Sequence, residues 1–356
     1  MYILQHNKRI QWVVFALFLI AVVRLPVEVG KGRDFLLGFS QVGILAVFAV
    51  VLYSINKWIG LFLVLAIVSS SVPQLTFESQ RALKCVVFGL GWYYFVYKYG
   101  DTNLLMDTIC VVAFTHFLAT CVQFSGIPSI FAGSTCGLTY NPNEGAAMFA
   151  LCFPAFLRKG RWKFLPMVII GLLMIHSFGG ILAVAIGTIF YTCIMYNGWF
   201  TLPVIVFLGL VCVFVDQPTV STRWAVWWNA FKIYSHTWMF GFGLGHWETV
   251  SIKLAEAGVQ LAPGIKDAWI RLHNTFLNGL VEMGIGFAVV LTGYLLSIVR
   301  RFTQKAIVPY TAGVVILVCC STNSMFRMNA VNGLLAITWL AILQKEIKGE
   351  TECQMM

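Results

Sequence analysis

The sequence predicts an all-α polytopic membrane protein, with about twelve transmembrane helices and one large outward loop carrying short interfacial helices. Three observations predict it. Hydrophobic residues make up 59% of the 356 and charged residues only 11%, a balance far from that of a soluble domain. Apolar runs recur from one end of the chain to the other, most of them long enough to cross roughly 30 Å of hydrocarbon as a helix. The two-residue alternation of a barrel strand is absent, so helices must satisfy the backbone in lipid.

The runs fall at 10–29, 35–54, 58–75, 82–97, 104–124, 144–157, 164–177, 178–196, 199–215, 274–299, 306–322 and 330–344. The pair at 164–196 reads equally as one long broken helix. Lys8-Arg9 precede the first run, as in a signal peptide, but no small-x-small cleavage site follows, so this run reads as a retained helix. Basic residues set the orientation. Arg158-Lys-Gly-Arg-Trp-Lys163 and Arg300-Arg-Phe-Thr-Gln-Lys305 occupy short connections. With twelve spans they share a side with Lys8, Arg9, Lys57, Lys98, Lys345 and Lys348, and the positive-inside rule makes that side cytoplasmic. Both termini are then cytoplasmic, and the segments 125–143 and 216–273 face outward. The net charge of +10 is a topology signal and gives no reason to invoke nucleic acid.

The whole chain, 1–356, reads as one integral membrane domain, with 216–273 as a loop inserted between two spans. Ten cysteines are scattered, mostly in or beside apolar runs, with Cys136 in an outward loop. No disulfide framework and no metal spacing emerges. Within the large loop, Ser221 or Thr222 caps a helix that places Arg223, Trp227, Ala230 and Tyr234 on one face. Three tryptophans in five residues set that helix at the lipid headgroups. Gly241-Phe-Gly-Leu-Gly-His-Trp-Glu248 then forms a close-packed turn. Its backbone N–H groups are of the kind that cradle phosphate, although the strand–loop–helix context of a nucleotide fingerprint is missing.

The loop ends in the most informative stretch of the chain, Arg271-Leu-His-Asn-Thr-Phe-Leu-Asn-Gly. His273 stands at a water–lipid boundary, where a base can meet a substrate whose lipid stays in the bilayer. Asn274 is a good N-cap for the span that follows, so the positive end of that helix keeps His273 neutral and able to accept a proton. Glu282 is no partner for it, lying about 180° around the helix and roughly 13 Å along it. It is expected to brace a neighbouring helix through Arg327 or a hydroxyl. Asn143 and Glu144 read as a cap and an acidic first turn for the sixth span, with substrate contact as the alternative for both. His116 and His176 sit within spans and are expected to hydrogen-bond other helices, whereas His236 reads as a surface residue and His246 as a substrate contact.

Four elements together resemble the O-antigen ligase and O-antigen polymerase family of bacterial envelope glycosyltransferases. They are Tyr140-Asn-Pro-Asn143, Arg223-Trp-Ala-Val-Trp-Trp, the Gly-x-Gly-x-Gly turn at 241–245, and His273-Asn274 followed by Leu277, Glu282 and Gly284. The similarity covers roughly residues 135–295. It implies an enzyme of the bacterial inner membrane, with its active site periplasmic, that moves a glycan from undecaprenyl diphosphate to an acceptor hydroxyl without cofactor or metal. His273 would be the base, and Arg223 would hold the diphosphate. The family's second arginine has no match, because Phe178 of His176-Ser-Phe-Gly-Gly180 stands in its place. Lys266 or Arg271 would supply that charge. The partners implied are the lipid-linked donor, a glycan or lipid A–core acceptor, and chain-length regulators or other envelope-assembly proteins. The missing arginine and the short chain favour a polymerase over a ligase or a protein-acceptor enzyme. A transporter is disfavoured by the absence of visible inverted repeats and by the paucity of intramembrane charge. A noncatalytic scaffold would not require His273 and Arg223 in this arrangement.

Overall fold

The computed structural model describes residues 34–70, 77–126, 135–139, 141–158, 160–196, 224, 226–228, 230–231, 238–246, 274–322 and 330–354. Every long regular element among them is a helix: α1 (Asp34–Ile55), α2 (Lys57–Ser70), α3 (Phe77–Tyr99), α4 (Thr102–Phe124), α5 (Pro142–Phe156), α6 (Leu165–Ile175), α7 (Phe178–Met195), α8 (Thr275–Met283), α9 (Ile285–Val299), α10 (Ile307–Thr322) and α11 (Ala330–Gln354). Short 3-10 turns lead into α6 and α10. Four stretches are long and apolar enough to cross a membrane: Thr102–Phe124, Phe178–Met195, Gln304–Thr322 and Ala330–Gly349. The protein is an all-α membrane protein in that sense. The runs expected at 10–29 and 199–215 lie outside the described residues, and each of the other ten coincides with helix.

The helices form two compact units. The first holds α1, α2, most of α3, residues 225–271 and most of α8 and α9. Here α2 starts directly after α1, because the Asn56 side chain takes the Trp58 N–H at 3.0 Å and caps the new helix. Glycines of α9 let α2 approach: a Cβ on Gly293 would lie 2.3 Å from the Trp58 ring, and one on Gly286 would lie 2.8 Å from Leu65. Asn56 also reaches the Ser297 hydroxyl.

The run 274–299, read from the sequence as one span, is broken. Gly284 takes φ +68° between α8 and α9. The break is held from outside: Ile285 N–H donates to Trp238 at 2.8 Å, while Phe242 and Gly243 N–H take the carbonyls of Val281 and Glu282. Hydropathy runs straight through this point, so nothing local betrays it. The pair at 164–196 resolves into two helices. His176 closes α6 in the left-handed conformation at φ +54°, and Ser177 precedes α7. His176 is therefore an exposed residue at an interruption, not a helix-bonded one within a span.

The second unit, residues 95–224, 272–276 and 298–356, is built around α5. Every residue from Gly145 to Phe156 is buried, as befits a helix that is apolar all round and enclosed by neighbours. It packs against α4, α6, α7, α10 and α11. Side-chain hydrogen bonds fix which ends meet. At one end Arg158 reaches Asn103, Arg161 pairs with Asp107, Tyr191 reaches the Leu157 carbonyl, Tyr310 that of Ile298, and Lys345 that of Gly100. At the other, Ser177 meets Asn143, Asn332 meets the Glu144 carbonyl, and Thr275 hydrogen-bonds Cys320. The basic clusters thus gather at one end, and the starts of α5, α7, α8 and α11 at the other.

Candidate functional site

Four of the residues singled out for chemistry, His273, Arg223, Arg271 and Lys266, lie outside the described residues, as do Tyr140, His236 and Arg327. Asn274, Asn143 and His246 are described, and the first two share the polar end of the second unit. Asn274 immediately precedes α8, the position expected of an N-cap, and its neighbour Thr275 ties the helix to the last turns of α10.

Asn143 is not the cap of α5. Asn141 is: its side chain accepts the Asn143 N–H at 2.8 Å, with Pro142 at the first helical position and Glu144 in the first turn. Proline at that position suits a helix start, since its absent N–H is one that has no intrahelical partner anyway. Freed from capping, the Asn143 side chain accepts a 2.8 Å hydrogen bond from the Ser177 hydroxyl. Ser177 in turn makes no capping bond to its own helix. Two segments 34 residues apart, one of them a motif segment, are therefore joined side chain to side chain.

A second polar assembly holds the loop that leads to α5. His116 on α4 is fully buried, with Nδ1 accepting the Leu138 N–H and Nε2–H donating to the Gly145 carbonyl, both at 3.0 Å. An acceptor nitrogen carries no proton, so these bonds fix the tautomer. The Phe149 ring lies 4.4 Å from the imidazole. Gly137, at φ +64°, passes so close that an added Cβ would lie 2.3 Å from the imidazole. Gln123 completes the clamp. Its carbonyl oxygen accepts from Cys136 and Gly137 N–H at 2.7 and 2.8 Å, and its amide donates to the Gly137 carbonyl. The Cys136 thiol is buried and donates to the Thr139 carbonyl. Burial pushes this thiol above the usual range, the Glu144 carboxylate adds to that, and the Thr139 contact opposes it. His116 thus meets the expectation of hydrogen bonding, through backbone partners. Gln123 and Ser177 were not singled out by sequence reasoning; a polar amide in the last turn of an apolar span is the signal that marks Gln123.

In the first unit the glycine stretch is the close-packed turn its sequence suggests, and its backbone donors have protein partners. Gly241, Gly243 and Gly245 all have positive φ, and the N–H groups of Phe242, Gly243, Leu244 and His246 donate to carbonyls of Val281, Glu282, Ser69 and Gly243. Phe242 and Gly243 thus close the α8–α9 break, Leu244 ties the turn to α2, and His246 bonds within the turn, so these four donors are already engaged. A Cβ on Gly241 would lie 2.6 Å from the Glu282 backbone, and one on Gly284 would lie 2.4 Å from the Met239 carbonyl. Glycine is required here for close approach. His246 is half-buried, and among the described residues its buried Nδ1 has no hydrogen-bond partner. Glu282 is buried, and the Ser69 hydroxyl of α2 donates to its backbone carbonyl at 3.0 Å.

Of the loop helix expected from Ser221, residues 224, 226–228, 230 and 231 are helical. Val226 and Ala230 are buried, whereas Trp224, Trp228 and Phe231 are exposed, and the last two rings stack at 6.3 Å. That exposed aromatic face suits a headgroup region.

The fold and the polar end define an all-α membrane protein with an ordered hydrogen-bond cluster at one end of a helical unit. Compared with known proteins, the chain matches no protein-family model and no curated protein.

Proposed function

We propose that the protein is a membrane glycosyltransferase that moves a glycan from undecaprenyl diphosphate to an acceptor hydroxyl at the periplasmic face, as an O-antigen or surface-polysaccharide polymerase. The observation that carries this reading is the ordered set Tyr140-Asn-Pro-Asn143, Arg223-Trp-Ala-Val-Trp-Trp, Gly241 to Gly245 and His273-Asn274. The fold supports it by gathering Asn143 and Asn274, from two of the segments that carry the resemblance, at one end of one unit, where Ser177 hydrogen-bonds Asn143. Twelve spans with an outward loop at 216–273 would set that end toward the periplasm.

In this reading His273 takes the proton of the acceptor hydroxyl, whose oxygen attacks the anomeric carbon. The bond from that carbon to the diphosphate oxygen breaks, and undecaprenyl diphosphate leaves with the electron pair. Arg223, with Arg271 or Lys266, stabilises the growing charge, the planar guanidinium binding phosphate oxygens two at a time. His273→Ala and Arg223→Ala proteins should insert and fold normally, yet transfer glycan from the lipid-linked donor at rates lower by about a hundredfold or more. Normal transfer by purified His273→Ala protein would sink the mechanism. Deletion of the gene separates the products. Lipopolysaccharide bearing core plus one repeat unit marks a polymerase, and absent side chains with accumulated lipid-linked polymer mark a ligase.

A further inference from the structure

Several basic residues at the charged end of the second unit have partners within it. Arg158 donates to Asn103, Arg161 pairs with Asp107, Lys345 donates to the Gly100 carbonyl, and Lys348 lies over the Tyr97 ring. Arg300, Arg301 and Lys305 are exposed, and among the described residues none of them has an ion pair. They fall within six consecutive positions joining α9 to α10. No acidic residue occurs anywhere from 283 to 345, so nothing nearby in the sequence offsets them.

These cations stand on a held turn. Arg301 and Phe302 N–H donate to the carbonyls of Ile298 and Val299, and the Tyr310 hydroxyl donates to the Ile298 carbonyl at 2.9 Å. The Phe302 ring lies against Tyr310 at 4.7 Å and Phe190 at 6.4 Å. Beside the cations are exposed apolar groups, Val299 at 66% and Phe302 at 39% exposure. Thr303 makes no side-chain capping bond to the turn that begins α10, which leaves a positive helix end facing the same segment. Unpaired cations on an ordered turn, next to apolar surface at the end of a membrane-length helix, match one ligand chemistry: an anionic phosphate carrying acyl chains.

We propose that Arg300, Arg301 and Lys305 form a binding seat for the headgroup of an anionic glycerophospholipid, its acyl chains lying along Val299 and Phe302. The site is separate from the proposed transferase centre, and neither reading depends on the other. The test uses the full-length protein in detergent, titrated with phosphatidylglycerol or phosphatidylcholine and read by native mass spectrometry. Phosphatidylglycerol should be retained at concentrations where phosphatidylcholine is not. R300Q/R301Q/K305Q should weaken that retention roughly a hundredfold. R300K/R301K should keep it, and R158Q should leave it unchanged. Equal retention of the two lipids, or undiminished retention by the triple variant, overturns the proposal. Inorganic phosphate at millimolar concentration should not displace the lipid; displacement would make this a site for free anions. Should the triple variant aggregate, wild-type retention of phosphatidylglycerol must fall between about 0.05 and 0.5 M salt. Retention indifferent to salt refutes the charge-based seat.

Discussion

The two ends of the second unit solve the same problem, terminating buried helices, with opposite chemistry. At the end holding Arg158, Arg161 and Lys345, charged side chains reach acceptors on neighbouring helices, partly in contact with solvent. At the end holding Asn143, most of the hydrogen bonds are made by an imidazole, several amides, hydroxyls and a thiol, most of them half-buried or buried. Neutral groups in a low dielectric give well-directed hydrogen bonds without the desolvation cost of ions. The charged end is tolerant, and the neutral end is exacting.

That contrast predicts a ranking of variants. His116→Ala should cost most, about 3 kcal/mol, because it removes two buried hydrogen bonds and the surface packed on Phe149. Chemical unfolding of the purified protein measures it. Gln123→Ala should follow at about 2 kcal/mol, leaving the Cys136 and Gly137 N–H groups without their acceptor. In both variants maleimide should reach the Cys136 peptide faster than in wild type. The wild-type thiol, raised by burial, stays protonated at neutral pH, so its labelling should climb only above the pH at which a free cysteine reacts. Labelling that tracks a free thiol in the wild type would contradict the clamp. Asn143→Ala and Ser177→Ala should each cost about 1 kcal/mol, and the double variant little more than either single one. Asp107→Asn should be smallest, within about 0.5 kcal/mol, since its partner Arg161 meets it at a site where Asp107 is 61% exposed. A cost for Asp107→Asn comparable with that of His116→Ala would erase the distinction between the ends.

Much of the helical layout was legible because membrane-length hydropathy needs no knowledge of tertiary contacts. The interruption at His176-Ser177 lay where the sequence already allowed one. The break at Gly284 was not legible: its stabilising partners, Trp238 to Gly243, are some 40 residues upstream and act through the backbone, which carries no side-chain signature. For the same reason the glycine turn was legible as close-packed but its partners, backbone carbonyls of α8 and α2, were not. In Asn141-Pro-Asn143 both amides resemble caps, and Pro142 is the clue that favours Asn141. Asn143 was legible as important without its partner, because Ser177 is joined to it only through folding.

Helix α5 has a consequence for divergence. Twelve consecutive residues, Gly145–Phe156, are buried, with Trp339 bonded to the Leu151 carbonyl beside Pro154. A Cβ on Gly145 would strike the Cys136 carbonyl, and one on Gly180 would strike Ala146. A helix with one lipid face can drift on that face, because one apolar residue replaces another there at little cost. Helix α5 has no such face, so substitutions along it must be matched by changes in five neighbouring helices at once. Relatives too distant to align elsewhere should still carry this run of small and aromatic residues in register, and it is the stretch by which they are best sought.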